Sequence, residues 1–143
     1  MRWEELIAAD RTVLEELMRT GATPDPMLLM GHTYRGLNIG WVTQITGRRF
    51  KKVFHEHDGR PFGHNIVERR GKPVELGWFS IRPEGHTVRF DYNVSQNRGA
   101  NLPLRGIQDL TVLPNPGDHS LVLGRARFVG LRVAYFVLQR ERE

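Results

Sequence analysis

Three polar residues of this chain lie within segments that otherwise have the composition of β-strands, and they could carry acid–base chemistry. His64 lies in FGHNIVE, Asp91 in VRFDYNV and Asp109 in IQDLTVL. Inside a barrel, His64 could act as a general base, with Asp91 or Asp109 orienting it or sharing its proton. A buried Asp109 would need a cationic partner. The candidate partners are Arg89, Arg125 and Arg127. The alternative is that all three polar residues lie on an outer, solvated face.

Two further histidines raise the question of a metal site. His55 and His57 lie two residues apart, and His64 follows across the Asp58-Gly59 turn. Such a set could converge on a metal ion, but a solvated pair at the tip of a hairpin is the favoured interpretation. The sequence contains no Gly-x-Ser-x-Gly or His-Glu-x-x-His motif and no phosphate-binding loop before a helix. We therefore predict no metal and no cofactor.

Aromatic residues and one amide suit the wall of a cavity for an apolar ligand, since such pockets combine aromatic walls with a few polar groups. The candidate lining residues are Tyr34, Trp41, Asn65, Trp78, Phe90, Tyr92 and Tyr135. In residues 87–94, Val88, Phe90, Tyr92 and Val94 share one face of a strand and the polar residues share the other. The pattern does not indicate which face points inward.

A single domain over 1–143 is predicted, with one amphipathic helix over 1–22 and a β-barrel over 30–142. Apolar residues recur at helical spacing from Trp3 to Met18, and Gly21 supplies a stop. Short segments rich in β-branched and aromatic residues follow, separated by turns. The candidate strands are 37–46, 49–57, 62–70, 74–82, 87–94, 107–113, 120–128 and 131–140. The break over 95–103 is long enough to form a lid or a mouth segment.

About eight sequential strands favour an antiparallel up-and-down barrel, because closure removes exposed sheet edges. Residues 131–138 are apolar on both faces, which indicates that the N-terminal helix covers the outside. The stretch GHTYRGLNIGW contains Gly31, Gly36 and Gly40 where the first strand should begin. Glycines there usually mark a bulge, a sharp bend or the close approach of another backbone, and a bend with aromatic residues packed at its base is the favoured interpretation. The alternative is a loop followed by a plain strand.

The quoted segments resemble a poorly characterised bacterial family of lipocalin-like (calycin-type) β-barrels. The resemblance rests on PDPMLLMGHTYRGLNIGW, DGRPFGHNIVERRG, VRFDYNVSQNRGANLPLRGIQDLTVL and SLVLGRARFVGLRVAYFVLQRER. It covers most of residues 24–142 and pairs a glycine-and-aromatic opening strand with a closing Leu-Gly-x-Ala and Phe-x-Leu-x-Arg. The opening places Tyr34 where such barrels usually have Trp. The resemblance implies a fold and supplies no catalytic residues.

Composition and charge limit the classes of partner that this chain is expected to bind. The net charge is +5 and the pI is about 10.2, but the basic residues are scattered over several strands, so nucleic acid is an unlikely partner in this interpretation. The absence of cysteine, of a signal peptide and of a long apolar run favours a cytoplasmic protein with no membrane span. The sequence does not decide whether the apolar stripe of the helix packs on its own barrel or on a second copy of the chain in a homodimer.

Two functions remain open from the sequence. The favoured one is binding of a small hydrophobic or amphipathic molecule inside the barrel. The alternative is a cofactor-independent enzyme, such as a cyclase, isomerase or lyase, that acts on a hydrophobic natural-product intermediate. The fold does not decide between them.

Overall fold

The computed structural model describes residues 1–39, 49–128 and 133–142. Three helices precede eight strands, and a 3₁₀ segment separates the fifth and sixth strands. The helices are α1 (Trp3–Ile7), α2 (Arg11–Thr20) and α3 (Pro26–Leu29). The strands are β1 (Thr33–Ile39), β2 (Arg49–His57), β3 (Arg60–Arg69), β4 (Lys72–Glu84), β5 (Thr87–Asp91), β6 (Ile107–Val112), β7 (Leu121–Phe128) and β8 (Val133–Arg140). The 3₁₀ segment is Gly99–Gly106.

The predicted antiparallel up-and-down barrel of eight strands is confirmed. Each strand pairs with its sequence neighbour, and β1 closes the barrel against β8. In that closing ladder Tyr34 lies opposite Arg140, and Ile39 lies opposite Tyr135. The strand bounds shift by a few residues, most at β1, which begins at Thr33 where the sequence predicted 37. Predicted strand positions 40–46 and 131–132 lie outside the described residues.

The predicted single helix over 1–22 is wrong in one respect, because the structure divides it into α1 and α2. The Asp10 side chain accepts a hydrogen bond from the Val13 amide (3.0 Å) and so caps a new helix. The two helices cover the outer face of β6, β7 and β8, as the apolar pattern of residues 131–138 predicted. This outer layer buries Leu6, Leu14, Met18, Val112, Leu121, Leu123, Tyr135 and Val137. Within the described ranges, no helix is long and apolar enough to cross a bilayer.

The barrel interior is filled by apolar side chains at the end where β1 begins. Tyr34 and Phe54 pack edge to face with ring centroids 5.2 Å apart, and Leu29 of α3 is fully buried in the same cluster. Phe79 and Phe90 stack at 4.8 Å farther along the interior. This packing leaves the opposite half of the barrel, where β1 ends and β2 begins, to hold the site.

Candidate functional site

Four polar side chains converge inside the barrel, and we call them the polar tetrad. They are Lys52 of β2, Asn65 of β3, Tyr92 directly after β5, and Asp109 of β6. The Lys52 and Asp109 side chains are each 3% exposed. Charged side chains are rarely buried to this extent unless they are paired, so the tetrad is held as a unit.

The hydrogen bonds within the tetrad satisfy the Lys52 ammonium. Its Nζ donates to Tyr92 OH (2.6 Å) and to Asn65 Oδ1 (2.7 Å) and lies 3.4 Å from Asp109 Oδ2. Tyr92 OH donates to the same Asp109 oxygen at 3.0 Å. The four side chains therefore form one connected hydrogen-bond network.

Burial dominates the electrostatics of the tetrad. It lowers the pKa of Lys52 and raises the pKa of Asp109, and the attraction between the two charges offsets each shift only in part. Burial, together with the nearby Asp109 charge, raises the pKa of the Tyr92 phenol well above its ordinary value. The proton affinities of the amine and the carboxylate are thus brought closer together than in water, which favours proton transfer between them.

Aromatic rings enclose the ammonium of Lys52, and we call them the aromatic cage. The Nζ atom lies 4.9 Å from the ring centroid of Phe79, 5.2 Å from those of Phe50 and Phe136, and 5.3 Å from that of Tyr92. Ring faces attract a cation, and this attraction is stronger where water is excluded. The cage therefore stabilises the charge that burial disfavours.

Three glycines make room for three rings of the interior. Gly36 is paired with Phe50, Gly63 with Phe79, and Gly124 with Phe136 across neighbouring strands. A β-carbon on the glycine would lie 2.3, 2.5 and 2.0 Å, respectively, from the nearest atom of the paired ring. These glycines are required by the close approach of the rings. For Gly36 the sequence analysis favoured a bend of the first strand instead. Gly40 lies outside the described residues.

A β-bulge orients Asn65 within the tetrad. The register between β3 and β4 shifts between Gly63 and Asn65, and Gly77 on β4 has a φ of +66°. This backbone turns the Gly77 carbonyl toward Asn65 Nδ2, which donates to it at 2.9 Å. Bulges that redirect a side chain are common beside functional sites.

The tetrad borders a cavity of about 520 Å³ inside the barrel. Exposed residues of the same lining include Arg49, Glu68 and Arg69. Leu104 of the 3₁₀ segment also lines the cavity, and it lies one residue beyond the break over 95–103 that was predicted as a lid or mouth segment. The apolar part of the lining comprises Phe50, Val67, Leu76, Leu104, Ile107, Ala126, Ala134 and Phe136. The arrangement offers an apolar chamber with a polar floor.

Of the three predicted catalytic residues, the structure places only Asp109 in the cavity. His64 and Asp91 lie on the outer face of the barrel, so their interpretation as groups inside the lumen is wrong. His64 Nδ1 lies 3.1 Å from His55 Nε2, and Asp91 pairs with Arg82 at 3.5 Å. In each case the neighbouring residues along the strand point inward. An error of one residue in the assumed alternation therefore places a side chain on the wrong face of the sheet. The described residues include no set of three or more potential ligands arranged for a metal ion.

The predicted lining residues divide between the two faces of the sheet. Asn65 and Tyr92 line the cavity, and Phe90 lies beneath it in the interior core. Tyr34 is also inside but lies at the filled end, where its hydroxyl donates to the His119 carbonyl (2.6 Å). Trp41 lies outside the described residues.

Trp78 and Tyr135 were wrongly assigned to the lumen. Trp78 faces outward and stacks on His64, with ring centroids 5.8 Å apart. Tyr135 is buried beneath the helices in the outer layer, and its hydroxyl has no hydrogen-bond partner among the described residues. A strand that is apolar on both faces does not reveal which aromatic points inward.

Lys52, the central residue of the tetrad, was not among the predicted site residues. The predicted partners of Asp109 were Arg89, Arg125 and Arg127, whereas the structure places Lys52 beside it. A signal was present, because Phe50, Lys52 and Phe54 alternate on one face of β2. A lysine flanked by phenylalanines at i−2 and i+2 points toward the same interior as they do.

Asn97 is a second missed residue, and it positions the Tyr92 backbone. It is fully buried, donates to the carbonyls of Trp78 (2.8 Å) and Tyr92 (2.7 Å), and accepts from the Trp78 amide (2.9 Å). We expect Asn97→Ala to lower the free energy of unfolding by about 2 kcal/mol, because buried backbone groups lose their partners. Denaturant unfolding measures this change. The exposed Asn93→Ala is the control, and an equal effect of both variants would contradict a structural role for Asn97.

Comparison of this chain with protein-family models, curated proteins and solved structures finds no match. The function is therefore inferred from the geometry of the cavity.

Proposed function

We propose that the barrel binds one small amphipathic molecule in the cavity, with its apolar part against the chamber wall and a polar group at the tetrad. The observation that carries this proposal is the buried polar tetrad at the floor of an otherwise largely apolar chamber of about 520 Å³. Ligand pockets commonly have volumes of about 300–1,000 Å³ and place a few polar groups on apolar walls.

The test begins with the protein purified from its own host. Native mass spectrometry, followed by solvent extraction, should identify a bound small molecule. We expect Ala126→Phe to lose that molecule, since a ring at this lining position fills the chamber. The matched control is Ala8→Phe, at an exposed position after α1, and it should retain the ligand.

Two results would contradict the proposal. One is a protein that carries no molecule and also fails to bind any lipophilic fluorescent probe. The other is a bound molecule that Ala126→Phe retains at the same occupancy as the control, with the fold of both variants confirmed by circular dichroism. In either case the chamber is not the binding site.

A second candidate, a cofactor-independent enzyme, is favoured by one specific observation. Asp109 faces inward within hydrogen-bonding distance of Tyr92 and beside Lys52, which supplies a carboxylate, a phenol and an amine to one point in the cavity. Such a set can move protons on a hydrophobic intermediate, as a cyclase, isomerase or lyase requires. Incubation with the extracted molecule discriminates: a carrier returns it unchanged, whereas an enzyme converts it.

We also infer a place for this chain among the lipocalin-like barrels of bacteria, with a cytoplasmic location. The closed antiparallel barrel and the absence of cysteine support this inference. Dimerisation through the helical face is a further proposal, and analytical ultracentrifugation tests it. Fractionation of the host cell tests the location.

A further inference from the structure

We propose that Lys52 forms a covalent imine with the ligand, so that the cavity takes apolar aldehydes or ketones. This inference rests on the proposed binding function and adds to it the chemical class of the ligand. The geometry that carries it is a primary amine at the floor of the chamber, with a phenol and a carboxylate beside the same nitrogen.

Lys52 is buried beside the cavity, as a reactive lysine commonly is, whereas the other lysines of the chain are exposed. The chain contains three lysines among 21 lysine and arginine residues. Lys51 and Lys72 are exposed, and Lys51 pairs with Glu141 at 2.8 Å. Only Lys52 borders the cavity. Burial activates this amine for attack on a carbonyl, because desolvation favours its neutral form and outweighs the attraction of Asp109 for the charged form.

Arginine could not serve this purpose. A guanidinium does not lose its proton in proteins, whereas a buried lysine does so readily. Burial lowers the pKa of Lys52, in agreement with such a role. A position that only had to balance the charge of Asp109 would accept either cation in principle, since both pair with carboxylates.

The reaction balances with the groups present. The ammonium of Lys52 gives one proton to Asp109, and the freed lone pair of Nζ attacks the carbonyl carbon. The carbonyl oxygen takes up that proton, forming a carbinolamine, and Tyr92 OH lies 2.6 Å from Nζ to relay it. The hydroxyl group takes a second proton from the nitrogen and leaves as water, while the C=N bond forms. In sum, ammonium and aldehyde give iminium and water, and no oxidant or reductant is needed.

Asp109 then has a defined second role. The iminium keeps the positive charge on Nζ, and the carboxylate 3.4 Å away remains its counter-ion. The charge balance of the buried site is thus the same before and after the reaction. A buried charge that lost its partner would be strongly disfavoured, so this conservation makes the covalent state compatible with the fold.

The experiment uses octanal as the probe and borohydride to trap the imine. The intact protein should gain the mass of octanal less one oxygen atom, and peptide mapping should assign the label to Lys52. We expect labelling at Lys52 to be at least about tenfold faster than at Lys51 or Lys72, since only Lys52 borders the chamber that would hold the carbonyl beside its nitrogen, and a held reactant gains a large effective concentration. Lys51→Arg should keep the label, and Lys52→Arg should lose it.

A parallel measurement with 1-octanol separates this inference from the proposed function. The alcohol has the same chain without a carbonyl group, and native mass spectrometry reports its binding directly. If octanol binds and protects Lys52 from octanal, both proposals are supported. If octanol binds but Lys52 is labelled no faster than the exposed lysines, the imine is overturned and ligand binding stands. If neither compound binds, both proposals fail for this ligand class. Since mapping of the unaltered protein decides the outcome, the test does not depend on how well the Lys52 variant folds.

Discussion

Lys52→Met is expected to lower the free energy of unfolding by about 3–5 kcal/mol, because it leaves the Asp109 carboxylate buried without its cation. The methionine fills similar space, so loss of packing contributes little. Denaturant unfolding at neutral pH measures the change. The control is Lys51→Met, which removes the adjacent, half-exposed lysine and its pair with Glu141. Exposed pairs contribute about 0–1 kcal/mol, so the control should remain close to the unaltered protein.

The double variant Lys52→Met with Asp109→Leu should recover most of that loss. Burial of both charges disfavours the folded state, as the lowered pKa of Lys52 and the raised pKa of Asp109 indicate. Apolar replacement of a whole buried pair is often neutral or stabilising, whereas removal of one partner is not. A double variant less stable than Lys52→Met alone would contradict this account and indicate that Asp109 stabilises the barrel through other contacts.

The sign of the pH dependence follows from Asp109. Its folded-state pKa is raised above the unfolded value, so between those two values the folded state binds more protons, and stability falls as pH rises. In Lys52→Met the attraction that lowers this pKa is gone, and the window widens upward. The variant should therefore regain stability as the pH is lowered from neutral toward mildly acidic values. In this variant Tyr92 is the other ionisable member of the tetrad, and it stays protonated throughout this range because its pKa is raised.

The fold could be predicted from the sequence because the turns and the alternation are local signals. Asp58 and Gly59 both adopt positive φ in the turn between β2 and β3, as the dipeptide predicted. The break between α1 and α2 was missed, although Asp10 is a common helix-capping residue, because the apolar spacing continues across it. Periodicity alone does not detect a cap within a continuous amphipathic pattern.

The site could be predicted only in part, because the face of each strand is a property of the whole sheet. Asn65, Tyr92 and Asp109 were named and lie together, whereas His64 and Asp91 were named and lie outside. Near His64 the bulge at Gly77 shifts the register between β3 and β4, and the position of this shift was not predicted from the sequence. The sequence indicates that a polar residue points into the barrel only when aromatic residues flank it on the same face of the strand.

The pairing of glycine with phenylalanine explains how the barrel accommodates the aromatic cage. A phenylalanine ring on an inward position extends across the neighbouring strand, and a β-carbon there would overlap it. Two of the paired rings, Phe50 and Phe136, line the cavity and contact each other edge to face at 6.0 Å. Their glycines, Gly36 and Gly124, are thus structural requirements of the chamber.

We expect Gly124→Ala to lower the free energy of unfolding by about 3 kcal/mol, at the upper end for an overpacked interior. The new β-carbon would lie 2.0 Å from the Phe136 ring, which has to shift within the cage. A smaller side chain at that position should relieve the overlap, so Gly124→Ala with Phe136→Leu should be more stable than the sum of the single effects predicts. Denaturant unfolding of the four proteins measures this coupling. Additive effects would mean that the ring moves freely, and the cage would then be too loosely packed to hold the Lys52 ammonium in the position described.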